Sequence, residues 1–224
     1  RLLLDLIRPT RGSASIGGFD CQRQSLRARR LVGYLPGEMP VYPELSSEAY
    51  LSYLGRLGAD PPDPDTVLRL LNRFEIGASD PKRRVRGLSH GMKRKIGIVS
   101  ALMARPRVAI LDEPTSGLDP LMIEAFAETL AELKQEGRTT VFLSSHVLSE
   151  VERTCDRVAV IKRGRVARMG TFDELAGPRR ELEVRAEGVT EETEALLARW
   201  AQVLRRDGDR LILALEDRRL IPEL

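Results

Sequence analysis

The sequence predicts an α/β fold built around a parallel sheet. Residues 108–111 are four apolar residues in a row, which is typical of a strand buried on both faces of such a sheet. Predicted helices at 120–135 and 147–154 then alternate with a predicted strand at 140–144. Alternating strands and helices indicate parallel strands joined by right-handed crossovers. A chain of 224 residues is long enough for one large domain and a small appendage.

The first hundred residues predict short elements followed by a helical insertion. The predicted elements are a helix over 2–7, strands over 12–16 and 31–35, and helices over 47–57 and 65–74. Gly17 and Gly18 indicate a turn after the first strand, and the proline-rich run 61–64 separates the last two helices. Ser89 is a good N-cap for a long helix that reaches Met103.

The last seventy residues predict a hairpin and an accessory segment. Predicted strands at 158–161 and 166–169 flank a turn at Arg163 and Gly164, and Thr171 with Glu174 forms a capping box for a short helix. Gly177 and Pro178 then interrupt the pattern. Beyond them, a strand over 182–186, a helix over 191–203 and a strand over 211–215 predict a small βαβ-like α+β appendix. We therefore expect domains at 1–176 and 177–224, with a helical subdomain at about 44–104.

Composition narrows the class of protein. No stretch approaches the roughly 18 apolar residues of a membrane span, and no secretory signal pattern is present, so we expect a soluble chain. The two cysteines have no metal-ligand spacing, which favours a reducing cytosol. A basic cluster at 82–95 either attracts phosphates or nucleic acid or is a solvated face. Aromatic residues make up only 4% of the chain, which argues against a platform that stacks single-stranded nucleic acid.

Two adjacent acids, Asp112 and Glu113, follow the buried strand at 108–111, and Pro114 ends it. Carboxylates at such a position are unfavourable unless they face a cation, a water to be activated, or both, although a solvated acid at a strand end is also common. In phosphate-cleaving enzymes one acid holds magnesium and another polarises the attacking water. The pair therefore indicates either a phosphate-cleaving site or an ordinary solvated strand end.

Three further motifs accompany the acids. They are Leu-Ser-His-Gly-Met-Lys at 88–93, Ser-Gly-Leu-Asp at 116–119 and Ser-Ser-His at 144–146. In this order the sequence resembles the ATP-binding subunit of an ABC transporter, with a signature motif, a Walker B strand, a D-loop and a switch histidine. The resemblance runs from residue 1 to about 175. It implies a P-loop NTPase-like parallel sheet with a helical insertion, that is, an ABC ATPase domain.

The resemblance implies a role for each motif residue. Glu113 would be the catalytic residue that orients the attacking water, Asp112 would hold magnesium, and His146 would contact the γ-phosphate. Ser89, Gly91 and the backbone at Met92 would bind the γ-phosphate of ATP held by the opposite subunit. This agrees with the affinity of a helix N-terminus for phosphate.

We also expect roles for two further motif residues, Asp119 and His90. Asp119 would act across the dimer interface, and it is also a good N-cap for the helix that starts at residue 120. His90 replaces a glycine of the usual signature motif, and we expect its side chain to be exposed and non-catalytic.

Two departures from the family pattern stand out. The family's Q-loop glutamine, a magnesium ligand, aligns with Gly37, and the neighbouring Glu38 is a possible substitute. No Gly-x-x-x-x-Gly-Lys-[Ser/Thr] loop occurs in the sequence, although that loop cradles the β- and γ-phosphates of ATP. The chain starts without methionine within an apolar segment, which indicates a sequence truncated at its N-terminus. The chain as given is expected to bind ATP poorly by itself.

The resemblance leads to one main functional expectation and two alternatives. The main one is an ATP-binding and ATP-hydrolysing subunit that uses Mg²⁺ and ATP, pairs as a homodimer or heterodimer, and drives separate membrane subunits. Export is the expected direction and the cytoplasmic face of the membrane the expected location. One alternative is an ABC ATPase acting on nucleic acid or the ribosome, which the single ATPase domain and the short insertion disfavour. The other is a catalytically impaired partner subunit.

Overall fold

The computed structural model describes residues 1–39, 42, 44–58, 61–77, 84–176, 180–185, 190, 197, 202–207 and 210–215. The chain divides into two compact units, Arg1–Thr154 and Cys155–Leu224. The boundary predicted from the sequence, between residues 176 and 177, lies inside the second unit and stays a prediction. None of the helices in the described part of the chain is both long enough and apolar enough to cross a bilayer.

The first unit contains five strands and six α-helices among its described residues. They are β1 Ser15–Ile16, β2 Phe19–Asp20, α1 Ser25–Arg30, β3 Val32–Leu35, α2 Ser47–Leu57, α3 Pro64–Arg73, α4 His90–Leu102, β4 Val108–Asp112, α5 Pro120–Glu136, β5 Thr140–Ser144 and α6 Leu148–Thr154. Helix α1 was not predicted. The predicted helix over 2–7 is only a 3₁₀ turn at Leu2–Leu4, because Asp5 turns into a left-handed conformation with φ of 55°.

A parallel sheet organises this unit. Strand β4 lies between β3 and β5 and pairs with both in parallel, which confirms the predicted sheet. Within β4, Ala109 and Leu111 are almost fully buried. Helix α4 packs closely on β3 at Gly33, where a Cβ atom would collide with the backbone of Ala101. Since the strands are parallel, their carboxyl ends meet at one edge of the sheet.

Side-chain caps fix the starts of the four longer helices. Ser46, Asp63, Ser89 and Asp119 each accept a hydrogen bond from a backbone N–H three residues further on, over 3.0–3.2 Å. Such a cap satisfies one of the amide groups that the first helical turn leaves without a partner. The predicted starts near residues 47, 65 and 120, and the predicted helix from Ser89 to Met103, are therefore confirmed.

One large apolar core joins the helical insertion to the sheet. It includes Leu35 of β3, Phe74 after α3, Ile96 and Ile98 of α4, and Leu111 of β4, each exposed by at most 1%. The first helical turn of α4 therefore has a fixed position relative to the end of β4.

The second unit begins with the predicted hairpin. Strands β6 Val158–Lys162 and β7 Arg165–Gly170 pair antiparallel around Arg163 and Gly164, both with positive φ, as a two-residue hairpin turn requires. Helix α7 spans Phe172–Ala176. Its capping box is confirmed, because Thr171 and Glu174 exchange side-chain to backbone hydrogen bonds of 2.9 and 3.2 Å.

The accessory segment differs from the prediction. Strands β8 Arg180–Arg185, β9 Gln202–Asp207 and β10 Arg210–Leu215 form an antiparallel sheet in the order β8-β10-β9. The predicted βαβ-like arrangement is therefore wrong, because β8 and β10 pair antiparallel. Strand β9 was not predicted because half of it is charged. The predicted helix over 191–203 lies largely outside the described residues. Leu197 is helical, whereas positions 202–203 belong to β9.

Candidate functional site

The candidate site lies where β4 and β5 end side by side. Asp112 of β4 pairs in register with Ser144 of β5. Glu113 follows β4 directly, and His146 lies two residues beyond β5. The parallel pairing therefore brings the adjacent acids Asp112 and Glu113 close to His146, which lies more than thirty positions further along the sequence.

Asp112 presents its carboxylate at this edge of the sheet. Its Oδ1 accepts a hydrogen bond of 2.5 Å from the Ser144 hydroxyl, which orients the group. Its Oδ2 faces Gly37, where an added Cβ atom would lie 3.0 Å away. The described residues hold no cluster of three or more His, Cys, Asp or Glu side chains that could bind a metal. A single oriented carboxylate fits Mg²⁺, which binds through one or two carboxylates and substrate phosphates and keeps several waters.

Glu113 is held in an unusual backbone conformation. Its φ is 49°, in the left-handed region that residues with a Cβ atom rarely occupy. Its backbone N–H donates to the carbonyl oxygen of Ser144 at 3.1 Å and to the Ser144 hydroxyl at 3.2 Å. This turn takes the chain out of the sheet and leaves the Glu113 side chain one-third exposed.

The carboxylate of Glu113 contacts His146 directly. Its Oε2 lies 2.7 Å from Nδ1 of the imidazole ring, while the His146 side chain is 77% exposed. An ionised carboxylate only accepts hydrogen bonds, so with Glu113 ionised the ring carries its proton on Nδ1. The other nitrogen, Nε2, then accepts a hydrogen bond in the neutral ring or donates one in the charged ring. The pair can therefore hold a water through the carboxylate and contact an incoming group through the ring.

The signature motif packs against the D-loop of the same chain. The Ser89 hydroxyl caps α4 through the Met92 N–H at 3.2 Å. At Gly91, an added Cβ atom would lie 2.5 Å from the carbonyl oxygen of Gly117. The exposed ring of His90 also lies against Gly117, which agrees with the expected exposure of this side chain.

The other predicted residues have distinct surroundings. Asp119 caps α5 through the Met122 N–H at 3.0 Å, so its expected capping role is confirmed. Met92 lines an apolar cavity of about 740 Å³ between α2, α3 and α4, whereas its backbone N–H lies in the first turn of α4. Glu38 is exposed and lines a separate cavity of about 220 Å³ together with His90. The nucleotide roles of these residues stay predictions.

Comparison with known proteins gives the family. A family model described as ABC transporter matches residues 1–116, just over half of the chain. The chain belongs to the ABC transporter family. It is 36% identical over 174 residues to the lantibiotic transport ATP-binding protein SrtF of Streptococcus pyogenes, a match that covers 77% of this chain and 72% of SrtF.

Solved structures agree with this membership. A structure described as the ATP-binding subunit of an ABC transporter is 32% identical, with a TM-score of 0.70, and the match covers 78% of this chain and 72% of that one. The dimeric structure of MJ0796, a bacterial ABC transporter cassette, matches with a TM-score of 0.67 at 20% identity. This match covers 77% of this chain and 78% of the MJ0796 chain, and it shows the fold alone. The predicted ABC ATPase fold is confirmed. The chain spans between 53% and 72% of the length of several curated relatives that it matches.

The candidate site contains two residues that the sequence analysis did not assign. Ser144 was read only as part of the Ser-Ser-His motif, yet its hydroxyl connects the Asp112 carboxylate to the Glu113 amide. Arg94 was read as part of a basic cluster, yet it is only 3% exposed. Its position in a helix of mostly apolar residues was the available signal.

Arg94 donates three hydrogen bonds to backbone carbonyl oxygens. Nη1 reaches Pro36 at 2.8 Å, and Nη2 reaches Asp112 at 3.0 Å and Glu113 at 2.5 Å. Burial lowers the pKa of Arg94 from its ordinary value, because the charged form loses water, while the carboxylates of Asp112 and Glu113 oppose that shift.

Proposed function

We propose that this protein is the ATP-hydrolysing subunit of an ABC exporter. The observation that carries the proposal is the 2.7 Å contact between the Glu113 carboxylate and His146 at the carboxyl edge of the sheet. Membership of the ABC transporter family and the similarity to a lantibiotic transport ATP-binding protein support transport, and export in particular.

The proposed chemistry follows from positioning. Glu113 orients and polarises the water that attacks the γ-phosphorus of ATP, and His146, in its charged form, donates a hydrogen bond from Nε2 to a γ-phosphate oxygen. Catalysis of phosphoryl transfer depends chiefly on positioning the reactants and stabilising charge. The left-handed turn at Glu113 and the hydrogen bond to His146 supply such positioning. Asp112, with Ser144, would hold Mg²⁺, which neutralises charge on the phosphates.

The signature helix is proposed to act on a second nucleotide. Ser89 is exposed at the start of α4, a helix of 13 residues. Its amide groups and the helix dipole favour an anion there, and we propose that this anion is the γ-phosphate held by the opposite subunit of a dimer. Separate membrane subunits would then couple dimer closure to export, with this subunit at the cytoplasmic face of the membrane.

The first test is Glu113→Gln in the full-length product of the gene. Because the amide cannot accept a proton from water, ATP turnover should fall by about 100-fold or more, while ATP affinity is kept. Glu128→Gln, at an exposed position of α5, makes the same chemical change away from the site and should leave turnover unchanged. Near-normal turnover by Glu113→Gln would refute the role of Glu113. Absence of turnover in the wild-type full-length product would favour a catalytically impaired partner subunit.

The second test is Ser89→Arg, with Ser46→Arg as its matched control. Both serines cap a helix over 3.2 Å, so both variants lose a cap worth about 1 kcal/mol. Only Ser89→Arg should block ATP-driven dimerisation, which size-exclusion chromatography of the Glu113→Gln protein can measure. Equal dimerisation by both variants would contradict the phosphate role of the α4 start.

A further inference from the structure

The side chain of Arg94 connects two segments that meet at the site. Its guanidinium group donates to the carbonyl oxygens of Asp112 and Glu113 on one side, and to that of Pro36 on the other. Pro36 directly precedes Gly37, which lies against the Asp112 carboxylate. One buried group therefore touches the backbone that carries both acids and the loop that faces them.

The peptide backbone of Glu113 is held from two directions. Its N–H group donates to Ser144, and its carbonyl oxygen accepts from Arg94. A left-handed φ is unfavourable for a glutamate, so the conformation persists only where surrounding contacts impose it. Arg94 supplies the contact on the carbonyl side.

Stability alone does not account for an arginine at this position. Arg94 lies two residues from Ile96, which belongs to the apolar core. Its Nε atom is buried without a hydrogen-bond partner, the only such side-chain atom among the described residues. A buried charge with an unmet donor is destabilising compared with a well-packed apolar side chain. The arginine is better explained by the three carbonyl oxygens that it holds.

We infer that Arg94 is a positioning residue that holds the Glu113 backbone in its working conformation and makes that conformation depend on the segment at Pro36 and Gly37. At 3% exposure Arg94 has no access to nucleotide, so it acts through Glu113. The inference rests on the proposed function of Glu113. Because the link to the Pro36 segment runs through a backbone carbonyl, it needs no side chain at Gly37.

Amide hydrogen exchange in the nucleotide-free full-length product tests the structural part of the inference. Arg94→Lys keeps the charge but lacks the planar fork that reaches three carbonyl oxygens. We expect the Glu113 amide to exchange about 10-fold faster in Arg94→Lys, because its turn opens locally more often. Arg107→Gln, which changes an exposed arginine, should leave that rate unchanged. An unchanged Glu113 rate in folded Arg94→Lys would overturn the inference.

Kinetics test the functional part. Because small misplacements of a catalytic group have large effects on chemistry, Arg94→Lys should lower kcat by about 10- to 100-fold and leave KM for ATP within about twofold. In the Glu113→Gln background the same change should lower kcat no further, since both act through one group. A merely structural role would raise KM and add to the effect of Glu113→Gln, and that result would overturn the inference.

The outcomes separate this inference from the proposed function. Normal turnover in Glu113→Gln defeats the proposed function whatever Arg94 does. Loss of turnover in Glu113→Gln together with a normal kcat in Arg94→Lys defeats only the inference. If Arg94→Lys fails to fold, Gly37→Ala replaces it, because its Cβ atom would lie 3.0 Å from Asp112 Oδ2, so that the Pro36 segment or the Asp112 side chain must shift by a few tenths of an ångström. Faster exchange at the Glu113 amide then supports the inference, and an unchanged rate overturns it.

Discussion

Replacing Gly91 by alanine should lower turnover by about 100-fold while the protein remains folded. The added Cβ atom would lie 2.5 Å from the carbonyl oxygen of Gly117, whereas ordinary contact begins at 3.4 Å. The oxygen belongs to the backbone and a Cβ atom has a fixed position on it, so neither atom can move away by rotation of a side chain. The signature helix and the D-loop must therefore separate by about 0.9 Å, the difference between those two distances.

Two opposing effects, helix propensity and overpacking, determine the expected change in the free energy of unfolding. Alanine stabilises a helix by about 0.5–1 kcal/mol relative to glycine. Overpacking typically destabilises a protein by about 1–3 kcal/mol. We therefore expect the free energy of unfolding to fall by no more than about 2.5 kcal/mol. A displacement near 1 Å, in contrast, can reduce the rate of a positioned reaction by about 100-fold.

Urea unfolding and ATP turnover of the full-length product measure these two effects. Gly137→Ala is the matched control, since Gly137 ends α5 with φ of 65° and has nothing within 4 Å of an added Cβ atom. It should lower stability by about 1 kcal/mol through backbone strain and leave turnover unchanged. Wild-type turnover in Gly91→Ala would refute the argument that contact with Gly117 positions the signature motif.

Two further predictions concern stability. Thr115 is only 8% exposed, and its hydroxyl donates to Glu150 Oε2 at 2.6 Å. Thr115→Val should therefore lower the free energy of urea unfolding by about 1–3 kcal/mol, and an unchanged value would contradict this contact. Hydrogen bonds from Thr66 lower the pKa of Asp63 in the folded protein. The ionised Asp63 therefore stabilises the fold above its unfolded pKa of about 3.9, and this stabilisation is lost as pH falls through the lower folded pKa. Asp63→Asn should flatten the acid side of the stability–pH profile, and an equally steep profile would exclude the role of this carboxylate.

Local sequence patterns predicted most helices and strands of the first unit. The caps at Ser89 and Asp119 depend on atoms within three residues of the cap, so the sequence alone contains the information. The parallel sheet followed from an uninterrupted apolar strand at 108–111. The pairing of β8, β9 and β10 did not follow, because strands of one sheet find their partners through contacts between distant segments.

The sequence by itself determined which residues could carry the chemistry. Asp112, Glu113 and His146 were recognisable from residue type and motif order, and their family followed from those motifs. Only the tertiary structure decided how they meet. The 2.7 Å contact of Glu113 with His146 and the burial of Arg94 beneath the Glu113 carbonyl depend on how β4, β5 and α4 pack. Packing joins residues far apart in the chain, and no local pattern specifies such distances.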